Sequence, residues 1–174
     1  MVKTEAGVRP PALDGAEFRE AMSFLAAPLT IVTARDAEGC LWGFTASSVT
    51  SVSLEPPLVL VGISQTSSCF GALSEATEFS INILGGDDRD LARTFATSGA
   101  DRFSGVRSAD WPDSAVPYLA DIAVALRCVV AGRIPVGDHT LLIGELSGVR
   151  GQGTAVSPLM WYRRDFRTPS ANGC

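Results

Sequence analysis

Hydroxyl side chains are concentrated in two short segments of the chain. The first, Thr45–Ser53, holds six Ser or Thr residues in nine positions, and the second is Ser64-Gln65-Thr66-Ser67-Ser68. Hydroxyls and backbone amides can bond the polar edge of a planar heterocycle or the oxygens of a phosphate. Ser and Thr also serve turns by bonding their own backbone. Composition alone favours turn chemistry for the first segment, and it leaves a helix cap and a phosphate site equally open for the second.

His139 is the single histidine, and it follows Gly137-Asp138 in a turn sequence. An imidazole there could position a polar ligand, with Asp138 orienting the ring or stabilising the turn. An isolated histidine in a turn is more often a solvated loop residue. One histidine and no Cys-x-x-Cys pair predict no metal site and four reduced, mostly buried thiols. The cysteines are Cys40, Cys69, Cys128 and Cys174.

Several function classes lose support because their motifs are missing. The chain has no Gly-x-Gly-x-x-Gly fingerprint, no Walker loop and no Gly-x-Ser-x-Gly elbow, which argues against a Rossmann site, nucleotide hydrolysis and hydrolase chemistry. Its 14 basic and 19 acidic residues form no basic stripe, so nucleic acid is not expected as a partner. No apolar run suits a membrane span or a secretory signal. We expect a soluble, cytoplasmic protein.

The elements that must position these residues are mostly strands. The 174 residues suit one domain, predicted at 14–167 between flexible tails at 1–13 and 168–174. β-favouring runs predict strands at 29–34, 40–45, 58–63, 79–84, 122–130, 140–149 and 159–162. Gly144 and Gly148 share one face of their strand, which predicts close approach of a ligand or backbone. Residues 101–117 show no period and predict a long surface loop.

Three short helices are predicted between the strands. Asp14 begins the first, which carries Phe18, Met22 and Leu25 at helical spacing, and 70–76 forms the second. Asp87 or Asp88 caps the third, whose inner face holds Leu91 and Phe95. Because strands and helices do not alternate regularly, the order predicts an antiparallel barrel rather than a doubly wound sheet.

Four motifs together resemble one known family. In order they are Gly43-x-Thr45-x-Ser47-Ser48-x-x-Ser51-Val52-Ser53-Leu54-x-Pro56-Pro57-Leu58, Phe79-x-Ile81-Asn82-Ile83-Leu84, Leu91-Ala92-x-x-Phe95-Ala96 and Gly137-Asp138-His139. This combination is similar to the short-chain flavin reductases, the reductase components of two-component monooxygenases, some of which serve aromatic polyketide biosynthesis. The resemblance runs from about Phe18 to Phe166. It implies a mainly β fold with short helices, a Greek-key split β-barrel of the FMN-binding type, and a homodimer with flavin near the subunit interface.

The resemblance also implies roles for individual residues. The isoalloxazine ring would be bordered by Thr45, Ala46, Ser47 and Ser48. The ribityl phosphate would face Ser64, Thr66, Ser67 and Ser68. Arg102 and Phe103 would lie near the flavin tail, Tyr162 in the C-terminal cofactor-binding strand, and His139 with Asp138 at the nicotinamide, where His139 is the candidate catalytic residue.

Two positions depart from the family pattern. Val49 stands where many relatives carry Phe, which predicts a missing aromatic wall near the ring. Cys69 stands where several have Ser, Thr or Asn, which predicts the loss of a strong donor near the phosphate. Both changes predict weak flavin binding, as suits a flavin that is released after reduction.

The predicted activity is NAD(P)H-dependent reduction of FMN or FAD, with reduced flavin passing to a partner monooxygenase. Hydride transfer from nicotinamide C4 to flavin N5 mainly requires that two rings be stacked and water excluded, so no acid–base cluster is needed. Two alternatives stay open. One is a flavin-binding accessory protein or a flavoprotein oxidoreductase that acts on another substrate, and the other is an interaction domain that binds no flavin.

Overall fold

The computed structural model describes residues 13–151 and 156–169. Most of the two tails predicted from the sequence, and Cys174, therefore lie outside the described residues. In chain order the elements are α1 (Gly15–Met22), β1 (Ala27–Pro28), β2 (Thr30–Arg35), β3 (Leu41–Ala46), β4 (Val49–Ser53), β5 (Leu58–Ser64), α2 (Phe70–Glu75), β6 (Glu78–Ile83), α3 (Arg89–Ala96), β7 (Ser108–Asp110), β8 (Pro117–Leu119), β9 (Val124–Val136), β10 (His139–Gly151), β11 (Met160–Tyr162) and β12 (Asp165–Arg167).

Seven strands form one antiparallel sheet in the order β3-β2-β6-β9-β10-β5-β4. Its edge strands, β3 and β4, are not hydrogen-bonded to each other, so the sheet is open along one line. Both halves of the sheet contribute to one core, which includes Val32 of β2, Val61 of β5, Phe79 of β6 and Leu142 of β10. The mainly β, split-barrel fold predicted from the sequence is confirmed.

A second apolar cluster lies where α3 and a small sheet pack against the main sheet. The small sheet has the order β1-β11-β12. Phe95 of α3 is fully buried against Ile31, Leu84 and Leu159. Asp88 begins α3 as predicted, but its side chain caps no helical amide. Its carboxylate instead accepts a bond from the Gly85 amide at 2.7 Å, and its partial burial raises the pKa of Asp88.

The prediction of a surface loop at 101–117 is wrong in its second half. There β7 pairs with β8, and Trp111 is only 6% exposed. The Trp111 indole donates to the Ser80 hydroxyl at 2.8 Å. The prolines in Trp111-Pro112 and Val116-Pro117 interrupt any local period, so tertiary burial rather than pattern defines this segment.

The β9–β10 hairpin is longer than the sequence pattern suggests. Each strand has 13 residues, although the alternating apolar pattern of β9 stops at Val130. The outer part of β9 is mostly exposed. Because this part has no buried face, no alternation of buried apolar and exposed polar residues marks it in the sequence. Gly144 lies inside the barrel, where a Cβ would come within 2.6 Å of the Phe79 ring and 2.9 Å of the Cys128 Cβ. Gly148 similarly faces the Trp111 ring. Both glycines therefore make room for neighbouring side chains, and not for the ligand or backbone that the sequence predicted.

Helix α1 forms as predicted, but its apolar side chains are exposed to solvent. Asp14 accepts a bond from the Ala16 amide at 3.1 Å and so begins the helix. None of the residues of α1 is buried, Phe18 is 54% exposed, and Leu25 just beyond the helix is 60% exposed. Polar contacts hold the helix to the β11–β12 turn, including the Arg164–Glu20 ion pair at 2.8 Å.

The cysteines are only partly as predicted. Cys69 and Cys128 are buried free thiols, whereas Cys40, which directly precedes β3, is exposed. Burial raises the pKa of Cys128 to about 12. Among the described residues, no helix has the length and apolar character that would carry it through a membrane.

Candidate functional site

A cleft of about 360 Å³ opens where β3 leads into β4, beside the end of β5, α3 and the start of β10. It is lined by Phe44, Thr45, Ala46, Ser47, Ser48, Gly62, Ser64, Thr66, Ser67, Ser68, Phe95, Ala96, Ser98, Arg102 and His139. The structure therefore brings the first four residues of one hydroxyl segment, the hydroxyls of the other, Arg102 and the histidine together, whereas the rest of the first segment, from Val49 to Ser53, does not line the cleft.

Strand pairing explains why these distant segments meet. In the β5–β10 ladder, Ser64 pairs with His139, so the second hydroxyl segment begins beside the histidine. The backbone N–H of Gln65 donates to the Asp138 backbone carbonyl at 3.0 Å and holds the two segments together at this point. The Gly62 amide donates to the Ser48 carbonyl at 3.0 Å, which ties the first segment to the same strand.

The hydroxyls of the first segment have divided roles. Thr45 donates to the Ala92 carbonyl of α3 at 2.7 Å, and Ser48 donates to the Gly62 carbonyl at 3.0 Å. These two bonds fit the turn and packing interpretation. Ser47 is exposed, and its side chain bonds no residue in the described part of the chain. Its hydroxyl and the backbone around it are available to a ligand.

The second segment is shaped by its own hydroxyls. The Ser64 and Thr66 hydroxyls are 2.9 Å apart, and the Ser67 hydroxyl accepts a bond from the Cys69 amide at 3.2 Å. Helix α2 has six residues, and its N-cap, Cys69, makes no side-chain capping bond. The helix-cap interpretation is therefore wrong for this segment. A ligand at this segment would meet hydroxyls and loop amides rather than a helix terminus.

Arg102 places a positive charge at the cleft. Its Nε and Nη2 donate to the Thr97 carbonyl at 3.2 and 3.0 Å, and its Nη1 donates to the Gly43 carbonyl at 3.0 Å. Within residues 13–151 and 156–169, no carboxylate forms a salt bridge with Arg102, whereas other arginines such as Arg35 and Arg127 are paired. A guanidinium held by neutral acceptors keeps its charge for an anionic ligand.

His139 is oriented by its neighbour. Its Nδ1 lies 2.8 Å from the Asp138 carboxylate, and this bond lowers the pKa of Asp138. Since an ionised carboxylate only accepts hydrogen bonds, Nδ1 carries the hydrogen and Nε2 remains for a ligand. Nearly half of the His139 side chain is exposed, and the residue lines the cleft.

Three predicted site residues do not line this cleft. Asp138 contacts the His139 ring instead of the cleft. Phe103 packs edge-on against Phe95, with ring centroids 5.1 Å apart, and belongs to the cluster beneath α3. Tyr162 lies on β11, from which the preceding residue, Trp161, reaches an adjoining groove that also contains Thr45 and Ser47. The structure thus separates Phe103 and Tyr162 from the cleft of their own chain.

The two departures from the family pattern have inward-facing side chains. Val49 packs against the barrel core. Cys69 is fully buried, and its thiol donates to the Gly43 carbonyl at 3.2 Å. Because this side chain does not line the cleft, the structure does not support the expectation that Cys69 removes a donor from the phosphate site.

Sequence reasoning did not identify five lining residues, namely Phe44, Gly62, Phe95, Ala96 and Ser98, as part of the site. Gly62 offered a signal, because a glycine inside an apolar strand often marks a close approach. A Cβ at Gly62 would lie 2.9 Å from the Ser48 hydroxyl. The others follow only from the docking of α3 beside β3.

A larger groove, of about 980 Å³, lies at the start of α3. Asp87, Asp88, Asp90 and Asp121 contribute to its walls, together with Arg89 and Arg93. Its carboxylates would repel a phosphate. Charge therefore favours the smaller cleft at Arg102 as the site for an anionic cofactor.

Comparison with known proteins places the chain in one family. Residues 22–170 match the model of the flavin reductase like domain. The NADH:riboflavin 5'-phosphate oxidoreductase of Streptomyces pristinaespiralis is 51% identical over 160 residues, which cover 92% of this chain and 91% of that protein. The reductase component of the 4-nitrophenol 4-monooxygenase/4-nitrocatechol 2-monooxygenase of Rhodococcus opacus is 40% identical over 88% of this chain and 80% of its own length.

A solved structure shares the fold. The NADH:FAD oxidoreductase of Streptomyces globisporus, solved with NAD and FAD fragments, aligns with a TM-score of 0.85 and 27% identity over 92% of this chain and 96% of that one. The family model and these relatives confirm the enzyme class predicted from the sequence, a nicotinamide-dependent flavin reductase. The chain belongs to the flavin reductase like domain family.

Proposed function

We propose that the protein reduces FMN with NADH in the cleft between the two hydroxyl segments and releases the product to a partner monooxygenase. The observation that carries the proposal is the convergence of Thr45–Ser48, Ser64, Thr66–Ser68, Arg102 and His139 on one cleft. The choice of FMN and NADH is supported by the relative that is 51% identical and is named for both.

The residues present fit an isoalloxazine ring at one end of the cleft. Phe44 supplies apolar surface, while the Ser47 hydroxyl and neighbouring amides can bond the polar edge of the ring. The bonds from Thr45 to α3 and from Ser48 to β5 hold this backbone in place before the ligand arrives. Preformed geometry lowers the entropic cost of binding.

The other end of the cleft fits the phosphate. Thr66 and Ser68 are exposed beside Arg102, which carries the one permanent charge among the residues that line the cleft. Charge-assisted bonds to phosphate are stronger than neutral ones. A single guanidinium facing a phosphate supports moderate affinity, which suits a flavin that leaves after each turnover.

When both groups are bound, the nicotinamide supplies a hydride at C4 and the flavin accepts it at N5. The contribution of the chain is to orient the rings and exclude water. The half-exposed His139, held through Nδ1 by Asp138, can accept a bond at Nε2 from the nicotinamide carboxamide. We place His139 as a catalytic residue that positions the nicotinamide.

The functional unit in this proposal is a homodimer. Exposed apolar side chains occur on α1, on the β4–β5 connection and along the β9–β10 hairpin, including Phe18, Leu54 and Ile134. A second copy of the chain would cover apolar surface that this chain leaves in water. The partner monooxygenase is supported by the similarity to a reductase component of such a system.

Steady-state oxidation of NADH tests the function. The purified, colourless protein should oxidise NADH only when FMN is added, with a rate that saturates in FMN. Equal rates with and without FMN would contradict the proposal. A yellow preparation that retains its flavin through gel filtration and does not reduce free FMN would instead support the flavoprotein oxidoreductase alternative.

A further inference from the structure

The buried thiol of Cys69 contacts the guanidinium that the proposed function assigns to the flavin phosphate. Arg102 Nη1 lies 2.9 Å from Cys69 Sγ and 3.0 Å from the Gly43 carbonyl oxygen. The thiol in turn donates to the same carbonyl at 3.2 Å. Cys69, Gly43 and Arg102 therefore form a closed triangle of hydrogen bonds beneath the cleft.

This triangle restricts how the guanidinium can turn. A guanidinium has five N–H donors, and here Nε and Nη2 are held by the Thr97 carbonyl while Nη1 is held by Gly43 and Cys69. With one hydrogen to each contact, one Nη2 hydrogen remains for a ligand. Removing the Nη1 contact to sulfur would leave that end of the fork attached only to Gly43.

Among the described residues, the acceptors around Arg102 are neutral, and Cys69 is the one side chain that they include. A carboxylate at this position would hold the arginine more strongly, but it would also neutralise the charge that phosphate needs. A fully buried thiol orients the guanidinium without competing with the phosphate.

We propose that Cys69 is a positioning residue for flavin phosphate, acting through Arg102. The inference rests on the proposed function, in which Arg102 faces the phosphate. It reverses the expectation that the cysteine at this position weakens phosphate binding.

The test compares dissociation constants of FMN and riboflavin, which differ only in the phosphate. Cys69→Ala and the similarly sized Cys69→Val should weaken FMN by about three- to ten-fold and leave riboflavin nearly unchanged. Cys69→Ser, whose hydroxyl both donates and accepts, should retain most of the preference for FMN. Riboflavin binding also reports whether each variant keeps a native cleft.

Cys128→Ala is the matched control, because Cys128 is equally buried in the same barrel core and its thiol makes no hydrogen bond to Arg102. It should leave unchanged the ratio of the riboflavin dissociation constant to the FMN dissociation constant, which measures the preference for FMN. Cys69→Ala should cause no further loss of FMN preference in an Arg102→Gln background, since both changes act on the same contact.

The inference is overturned if the Cys69 variants keep the wild-type ratio, or if Cys128→Ala lowers the ratio equally. If Arg102→Gln itself leaves the ratio unchanged, the phosphate role of Arg102 in the proposed function fails as well. A ratio that falls in Arg102→Gln but not in the Cys69 variants rejects the positioning role alone.

Discussion

Ser47 and Thr66 offer a direct comparison of the two ends of the cleft. Ser47→Ala should weaken FMN and riboflavin alike, by about 0.5–1.5 kcal/mol, because its hydroxyl would face a neutral ring edge. Thr66→Ala should weaken FMN by about 1.5–3 kcal/mol and riboflavin less, because its contact would be to a charged group. Fluorescence titrations with both flavins measure the contrast, and equal losses for the two flavins in Thr66→Ala would remove the second segment from the phosphate site.

His139 is the residue for which nicotinamide and flavin effects should separate. His139→Ala should raise the apparent KM for NADH or slow flavin reduction by about ten-fold or more through misplacement, while flavin affinity stays nearly unchanged. Asp138→Asn should cause a smaller effect, because it removes the charge that orients Nδ1 but leaves the ring. Stopped-flow reduction at saturating flavin checks both variants. If the rate of flavin reduction in His139→Ala depends on NADH concentration as it does in the wild type, His139 has no role in nicotinamide binding and is an ordinary turn residue.

The sequence predicted most of the cleft because motifs mark backbone segments, but it could not assign the individual hydroxyls. Thr45 and Ser47 look equivalent in the sequence, yet Thr45 bonds α3 and Ser47 faces the cleft. The inward orientation of Cys69 was also hidden, since it depends on how the segment before α2 folds onto β3. Such distinctions arise from tertiary contacts rather than from local pattern.

Among the elements, β10 provides a sharp test of the packing inside the barrel. A Cβ at Gly144 would come within 2.6 Å of the fully buried Phe79 ring, whereas a Cβ at Gly132 on the paired strand would meet nothing closer than 4.0 Å. Gly144→Ala should therefore lower the free energy of unfolding by about 1–3 kcal/mol. Gly132→Ala should be neutral or slightly stabilising.

Denaturant unfolding at a fixed protein concentration compares these two glycine variants. Equal stabilities for Gly144→Ala and Gly132→Ala would contradict the prediction, because they would show that the Phe79 ring can move away from β10 at little cost. The strand was predictable from its β-favouring run, but the ring opposite Gly144 was not, because Phe79 lies on β6, which is separated from β10 by the intervening strand β9.

For the whole molecule, the exposed apolar surface of α1 predicts a dimer. The helix has eight residues and buries none of them against its own chain, and isolated helices this short are marginal in water. Light scattering should give about twice the chain mass of 18.3 kDa. Phe18→Glu combined with Leu25→Glu should shift the protein toward monomer if this surface lies in the interface. A monomeric wild-type protein at micromolar concentration would contradict the prediction.

Anaerobic mixing of protein and FMN with NADH tests whether one cleft holds flavin and nicotinamide for direct hydride transfer. We expect loss of the visible flavin absorbance in a step that saturates with NADH and slows when deuterium replaces the transferred hydrogen at C4. Flavin that keeps its absorbance at saturating NADH, with riboflavin and FMN shown to bind, would contradict it.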